Sequence, residues 1–261
     1  VSGAIIGDVI GRPYEFDHPV RTKDFELFTP GMRFSDDTIL YLAVAHAAMN
    51  GLSFWDTLVE FGKRYAHVGF AKGFEAWVAN EARVQGDSWA NGSAMRSGSL
   101  AWIARDMKEA LEMARESAMP THSHPEAIKG AQAVVCAVRV GIEGGTKTDI
   151  RREVAALTGY DLDRTVEGIR PTYKRFMVHC AKSVPEAIVC ALDATSFEDA
   201  IRNAVSLGGD ADTQALIAGA IAETLFDVPT EMSERCLATL TPHLLEIEGR
   251  LATIRLSKAR R

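Results

Sequence analysis

The run Ser35-Asp36-Asp37-Thr38-Ile39-Leu40-Tyr41-Leu42-Ala43-Val44-Ala45-His46-Ala47 decides the fold. Ile39, Leu40, Leu42, Ala43 and Ala47, with the residues between them, suit a helix that is apolar nearly all round. Such a helix belongs in a core. Working outward, Phe54 to Tyr65 places apolar residues at 54, 55, 58, 59 and 61, which is helical spacing. Segments 98–117, 125–143, 149–157, 184–194, 196–206, 213–226 and 231–256 read as further helices. Alternating apolar and polar runs of strand length are nearly absent. Pro125, Pro185 and Pro229 are placed near helix starts, where proline is tolerated. Gly144-Gly145 and Gly208-Gly209 read as helix ends. No Pro-, Gly- or Ser-rich linker divides the chain and no fixed-period repeat shows, so one all-α domain over 1–261 is expected.

Composition narrows the function. The 261 residues carry 29 Lys+Arg and 35 Asp+Glu, a formal charge of −6, with 47% hydrophobic and 25% charged residues. That is globular composition, and it excludes a disordered tail or a collagen-like repeat. Net negative charge argues against binding nucleic acid by phosphate neutralisation, except where nucleic acid is itself a modified substrate. The C-terminal Lys258-Ala259-Arg260-Arg261 is a local basic patch that reads as a frayed, solvated end. The longest uncharged stretch, Thr38 to Trp55, contains His46, Asn50, Gly51 and Ser53, so it reads as a buried helix and turn, not a membrane span. Cys136, Cys180, Cys190 and Cys236 are widely spaced and form no C-x-x-C. Cys136, Cys180 and Cys190 lie in apolar surroundings and read as buried thiols, which suits a reducing, cytoplasmic setting, while four cysteines would also allow two bridges.

The chemistry concentrates in loops. Ser35-Asp36-Asp37-Thr38 precedes one apolar helix and Asp210-Ala211-Asp212-Thr213 precedes another. Helix capping explains one such residue at each place. Each site offers two carboxylates plus hydroxyls, with no Lys or Arg inside the cluster. Buried carboxylates repel and lose hydration unless something positive neutralises them. Hard oxygen donors without His or Cys favour Mg2+ or Mn2+ over zinc. The small residues of Gly86-Asp87-Ser88-Trp89-Ala90-Asn91-Gly92 suit an anion cradle with Trp89 stacking on a flat ring, or a plain turn. Thr121-His122-Ser123-His124-Pro125 suits ligand binding or a helix-entry turn. His46, His67, His179 and His243 read as structural. Gly3, Gly7 and Gly11 recur every four residues and allow a helix to pack closely. They deliver Glu15 to the loop before the first acidic cluster, as a solvated acid or as a proton-transfer group.

Taken together, Gly3–Glu15, Ser35–Thr38, Asn91–Arg96, Thr121-His122 and Gly208–Thr213 resemble the ADP-ribosylglycohydrolase family, in the family's order and across nearly the whole chain. The resemblance implies an all-α orthogonal bundle with two divalent cations in a central cleft. It implies Ser35, Asp36, Asp37, Asp210, Asp212 and Thr213 as metal ligands, with Asp212 bridging both ions. Glu15 matches a mobile acid that some members use near the scissile bond, with Asp36 as the fallback catalytic carboxylate. Ser88, Trp89, Asn91, Gly92 and His122 fall where relatives hold ADP-ribose. Ser35 stands where many members have Thr, Ala90 where Gly is frequent, and Asp87 adds a negative charge beside an anionic ligand.

The expected reaction is hydrolysis at C1″ of ADP-ribose, reversing ADP-ribosylation of an acceptor, with the arginine linkage favoured. Hydrolysis of a small ADP-ribosyl metabolite is one alternative. A module that binds ADP-ribose without turnover is another, disfavoured because all the implied ligands carry donor atoms.

Overall fold

The computed structural model describes residues 2–16, 19–173 and 177–259. Its helices run in the order α1 (Gly3–Gly11), α2 (Asp36–Asn50), α3 (Phe54–Arg64), α4 (Lys72–Ala79) and α5 (Gly92–Met95). Next come α6 (Gly98–Ile103), α7 (Met107–Ala118), α8 (Pro125–Ile142), α9 (Lys147–Thr158) and α10 (Val166–Ile169). The chain closes with α11 (Cys180–Asp193), α12 (Phe197–Val205), α13 (Ala211–Ala222), α14 (Thr230–Leu237) and α15 (Pro242–Ala259). Among the described residues β-structure is limited to two isolated bridges, Asp87 with His122 and Ala90 with His179. The all-α expectation is met.

The centre is α1 laid antiparallel on α13, both buried along their whole length. Glycine makes this approach possible. A Cβ at Gly3 would stand 2.2 Å from the carbonyl oxygen of Gly219, at Gly7 2.0 Å from that of Ala215, and at Gly11 2.5 Å from that of Ala211. No side chain fits at those distances, so backbone meets backbone over three turns. The contact carries the C-terminal end of α1 to the start of α13. On the other side α2 packs against α3, α6 and α15.

Several boundaries differ from the sequence reading, each for a local reason. The 98–117 segment is two helices. Asp106 caps α7 by accepting from Glu109 N at 2.8 Å. Arg139 of α8 takes up carbonyls left free at the break, donating to Ala104 O and Arg105 O at 3.0 Å each. The 231–256 segment breaks at Pro242, which has no N–H to continue the ladder. α11 starts at Cys180, four residues before the expected 184, so Pro185 lies inside the helix and not at its start. The missing N–H costs one hydrogen bond there. Pro125 and Pro229 do stand at the starts of α8 and α14. Helices α4, α5 and α10 lie outside the segments whose sequence reads as helix. All four cysteines are free and buried. Among the described residues no helix is long and apolar enough to cross a membrane. Of the C-terminal basic patch, Arg260 and Arg261 lie outside the described residues, while Lys258 Nζ donates to Ala104 O at 2.5 Å.

The α1–α13 contact makes a prediction with opposite signs at two glycines. Gly7→Ala gains helix propensity but forces the central backbones apart, and should cost about 3 kcal/mol. Gly249→Ala, in α15 with nothing near the new methyl, should stabilise by about 0.5–1 kcal/mol. Urea unfolding of both variants measures this. Equal stability of the two would show that the close approach is not a constraint.

Candidate active site

Both acidic turns are positioned from α1. Asp8 is the charged residue in an otherwise apolar helix and is fully buried. Its Oδ2 accepts from the backbone N–H groups of Ser35 and Thr38 at 2.9 and 3.2 Å, and from Thr38 Oγ1 at 2.5 Å. Ser35 Oγ donates to Asp8 Oδ1 at 2.7 Å and accepts from Asp37 N at 3.1 Å, capping α2. A side chain of α1 thus holds the entry of α2, while the backbone of α1 holds the entry of α13. The two clusters touch through Thr213 Oγ1, which donates to Asp37 Oδ2 at 2.5 Å. Asn91 Nδ2 donates to Asp210 Oδ2 at 2.7 Å, tying the 91–96 segment to the same place.

Asp36, Asp37, Asp210, Asp212, Thr213 and Glu15 line one cavity of about 710 Å³, within the range of small-molecule sites. Oxygens of Glu15, Asp210 and Asp212 lie within 4.8 Å of one another. Arg12 supplies positive charge here, pairing with Glu15 and standing 3.9 Å from Asp212 Oδ2. One guanidinium does not balance this many carboxylates, and their proton affinities show it. Burial, then repulsion from Asp210, pushes Glu15 up to about 7 although Arg12 opposes. Burial, then Asp8, pushes Asp36 up to about 7. Asp37 is held well above the ordinary carboxyl range by burial and by Asp36, and Asp212 by burial and by Asp37. Burial also raises Asp8 and Asp210. Burial works against the charge of Arg12, but Glu15, Asp212, Asp8 and Asp36 outweigh it and raise its pKa.

Residues of 86–92 and 121–122 supply further lining. Gly86 N donates to Pro120 O at 3.0 Å, Ser123 N to Gly86 O at 3.0 Å, Asn91 N to Val178 O at 2.8 Å and Cys180 N to Trp89 O at 3.2 Å. The segment is therefore clamped on both edges. Ser88, Asn91, Gly92 and His122 line the cavity. The structure does not bring Trp89 there. Its neighbours Ser88 and Ala90 line the cavity but Trp89 does not, and its carbonyl is tied to Cys180 N. Trp89 is 47% exposed and its ring lies on His179, centroids 3.4 Å apart. Ser35 also stands outside the lining, behind Asp36. Asp87 does line the cavity and accepts from Ser123 Oγ at 3.2 Å. His124 is a helix-entry residue, its Nδ1 accepting from Glu126 N at 3.1 Å.

Sequence reasoning missed several residues. Asp8 was visible as a lone carboxylate in an apolar helix, a sign of a buried acceptor. Arg12, Arg96 and Thr121 lay inside quoted motifs without a role. Phe70, Phe74 and Trp77 form an aromatic wall of the cavity, ring centroids 5.1 and 5.7 Å apart in succession. Their spacing marks a helix face but carries no signal of what that face covers.

Comparison with known proteins agrees with this geometry. A family model for ADP-ribosylglycohydrolases matches residues 1–256. ADP-ribosylhydrolase ARH3 of Danio rerio is 25% identical over 294 residues, covering 84% of this chain and 80% of that protein. A solved structure described as an ADP-ribosylglycohydrolase-related protein complex superposes with a TM-score of 0.68 at 23% identity, covering 99% of this chain and 94% of that one. That last likeness is one of fold. With nearly the whole chain matched, the protein belongs to the ADP-ribosylglycohydrolase family and is a hydrolase of glycosidic bonds.

Proposed function

We propose that this hydrolase releases ADP-ribose from an ADP-ribosylated acceptor, with the arginine linkage favoured, and that it works with two divalent cations, Mg2+ or Mn2+. The observation that carries the reading is the hydrogen bond from Thr213 to Asp37. It joins acidic turns 176 residues apart into one buried cluster with more negative charge than Arg12 offsets. The donor set is hard oxygen throughout, which fits such ions. Asp36, Asp37, Asp210, Asp212 and Thr213 would hold them, and Ser35 would join them by turning its hydroxyl from Asp8, to which it donates at 2.7 Å. Bound there, they would supply Lewis acidity toward ribose hydroxyls and a water.

The remaining work falls to the chain itself. Cleaving the bond at C1″ requires a proton taken from water and one given to the leaving group. Glu15 would carry these protons, a reading supported by its position beside Asp210 and Asp212 and its pairing with Arg12. Asp36 is the fallback carrier. Ser88, Asn91, Gly92 and His122 orient the ADP-ribosyl group, and Phe70, Phe74 and Trp77 shield it from bulk water.

Two predictions follow from the cluster. Asp36→Ala and Asp212→Ala should abolish hydrolysis with the helical fold retained. Glu15→Gln should lower kcat by about 10²–10⁴ with KM little changed. The assay follows ADP-ribose released from arginine-linked and serine-linked ADP-ribosyl peptides and from free ADP-ribosyl compounds, with and without chelator. Full turnover in chelator would remove the cations from the mechanism. Free compounds turning over as fast as peptides would assign a metabolite hydrolase.

The second prediction concerns stability without cations. Glu15 and Asp36 titrate near 7 in the folded chain but at ordinary carboxyl values, about 4, when unfolded. Between those values the folded state holds protons that the unfolded state has released. Stability is therefore greatest below the window and falls as pH rises through it. In chelator, Tm should decline from about pH 4 to pH 7, and Mg2+ or Mn2+ should restore most at the upper end. A Tm independent of pH in chelator would contradict the excess of negative charge.

A further inference from the structure

Arg96 closes the run Asn91-Gly92-Ser93-Ala94-Met95-Arg96, and its side chain is fully buried. A buried cation is costly unless a carboxylate or a full set of acceptors surrounds it. Among the described residues Arg96 has neither. Its Nη2 donates to Ser117 O at 2.6 Å and to Thr121 Oγ1 at 2.9 Å. Its Nε and Nη1 have no partner. Burial pulls its pKa down to about 9, which leaves it charged at neutral pH. The chain keeps this unneutralised charge in the wall of the cavity, beside Thr121 and His122.

The hydroxyl of Thr121 decides what that charge does. A hydroxyl has one proton to give and lone pairs to receive. Arg96 can only donate, so it takes one lone pair. The other partner, His122 Nδ1 at 2.6 Å, could meet the second lone pair as a donor or the hydroxyl proton as an acceptor. The second arrangement leaves no buried hydroxyl proton unpaired, so Thr121 donates and Nδ1 accepts. Burial, then Arg96, pushes the pKa of His122 down to about 3, so the ring is neutral. A neutral imidazole that accepts at Nδ1 carries its proton on Nε2. That nitrogen stands over Gly92, where a Cβ would come within 3.0 Å of it. Both residues face the cavity.

On the reading above that the ligand is an ADP-ribosyl compound, we propose that Arg96 is a positioning residue which, through Thr121, locks His122 as an Nε2–H donor to a phosphate oxygen of that ligand. Arg96 touches no ligand atom. Its buried charge biases the relay in one direction and adds a favourable field for an anion at that wall. Gly92 leaves the space through which Nε2 is reached. A phosphate ester suits the site because it offers acceptors and no donors of its own.

The test uses the full chain with Mg2+ present. Nitrogen-15 spectra of labelled histidine report the tautomer of His122, and calorimetry reports the Kd of free ADP-ribose. In the wild type the proton should sit on Nε2. Thr121→Val, close in shape, should let it distribute over both nitrogens and raise the Kd about tenfold, the loss of one charge-assisted hydrogen bond. Thr121→Ser should restore both readouts. Arg96→Met should follow Thr121→Val, and if it does not fold, the Thr121 pair decides alone. Adenosine, which lacks the phosphates, should bind Thr121→Val almost as it binds the wild type. A wild-type tautomer and Kd in Thr121→Val overturn the relay, and equal weakening of adenosine overturns the phosphate assignment. A wild-type protein that does not bind ADP-ribose overturns the functional reading, and with it the ligand half of this proposal, whatever the spectra show.

Discussion

The close approach of α1 to α13 is the constraint on which the rest of the molecule depends. At Gly11 the two backbones leave no room for a Cβ, and the nearest atoms belong to Ala211 and Asp212. The acidic turn before α13 is therefore placed by contact with α1, not by loop geometry. Asp8, one turn earlier on α1, gathers the N–H and hydroxyl groups of Ser35 and Thr38 and so places the other acidic turn. One short helix acts as the common reference for two segments far apart in the chain. Glycine and alanine at the contact give up side-chain burial, and they gain a distance between backbones that larger residues would not hold.

The cluster built on that frame is electrostatically unfavourable by itself. Asp36 and Asp37 lie in the first turn of α2, and Asp212 lies in the first turn of α13. The positive ends of both helices therefore point at them and offset part of the repulsion. Arg12 offsets a further part. The raised proton affinities of Glu15 and Asp36 reflect burial first and the repulsion that is left second. A chain selected for stability alone would place apolar residues or single caps there. Retaining the carboxylates makes sense where a ligand of opposite charge completes the site, which is how stability is commonly traded for function.

The helical class was legible because apolar runs such as Ile39–Ala47 have no strand reading. The acidic turns were legible because two carboxylates exceed what a cap requires. The glycine spacing at 3, 7 and 11 predicted close packing but not its partner, since nothing in a sequence pairs Gly7 with Ala215. Trp89 was misplaced for a related reason. Its ring is held on His179, and the bridges that tie Asp87 to His122 and Ala90 to His179 are tertiary contacts. The break before α7 needed Arg139 from another helix, and the break at Pro242 was visible but outweighed by the apolar periodicity around it. Local signals carried the elements and the chemistry, while the residues that hold the chemistry in place spoke only through contacts.

The buried guanidinium of Arg96 completes the charge pattern of the cavity. Its Nε and Nη1 have no partner among the described residues, and it stands with Gly92, Thr121 and His122 in the lining. The carboxylates of Asp36, Asp37, Asp210 and Asp212 collect where α2 and α13 begin. The two signs are close neighbours, because Asn91, next to Gly92, donates to Asp210 at 2.7 Å, and Asp87 belongs to the same stretch of lining as Gly92. An anionic group in the cavity would still meet a positive field beside Arg96 and a negative one beside the aspartates, and like charges in a partly desolvated space repel strongly. Opposed fields of this kind would favour one orientation of a ligand charged at one end, without any contact specific to its far end.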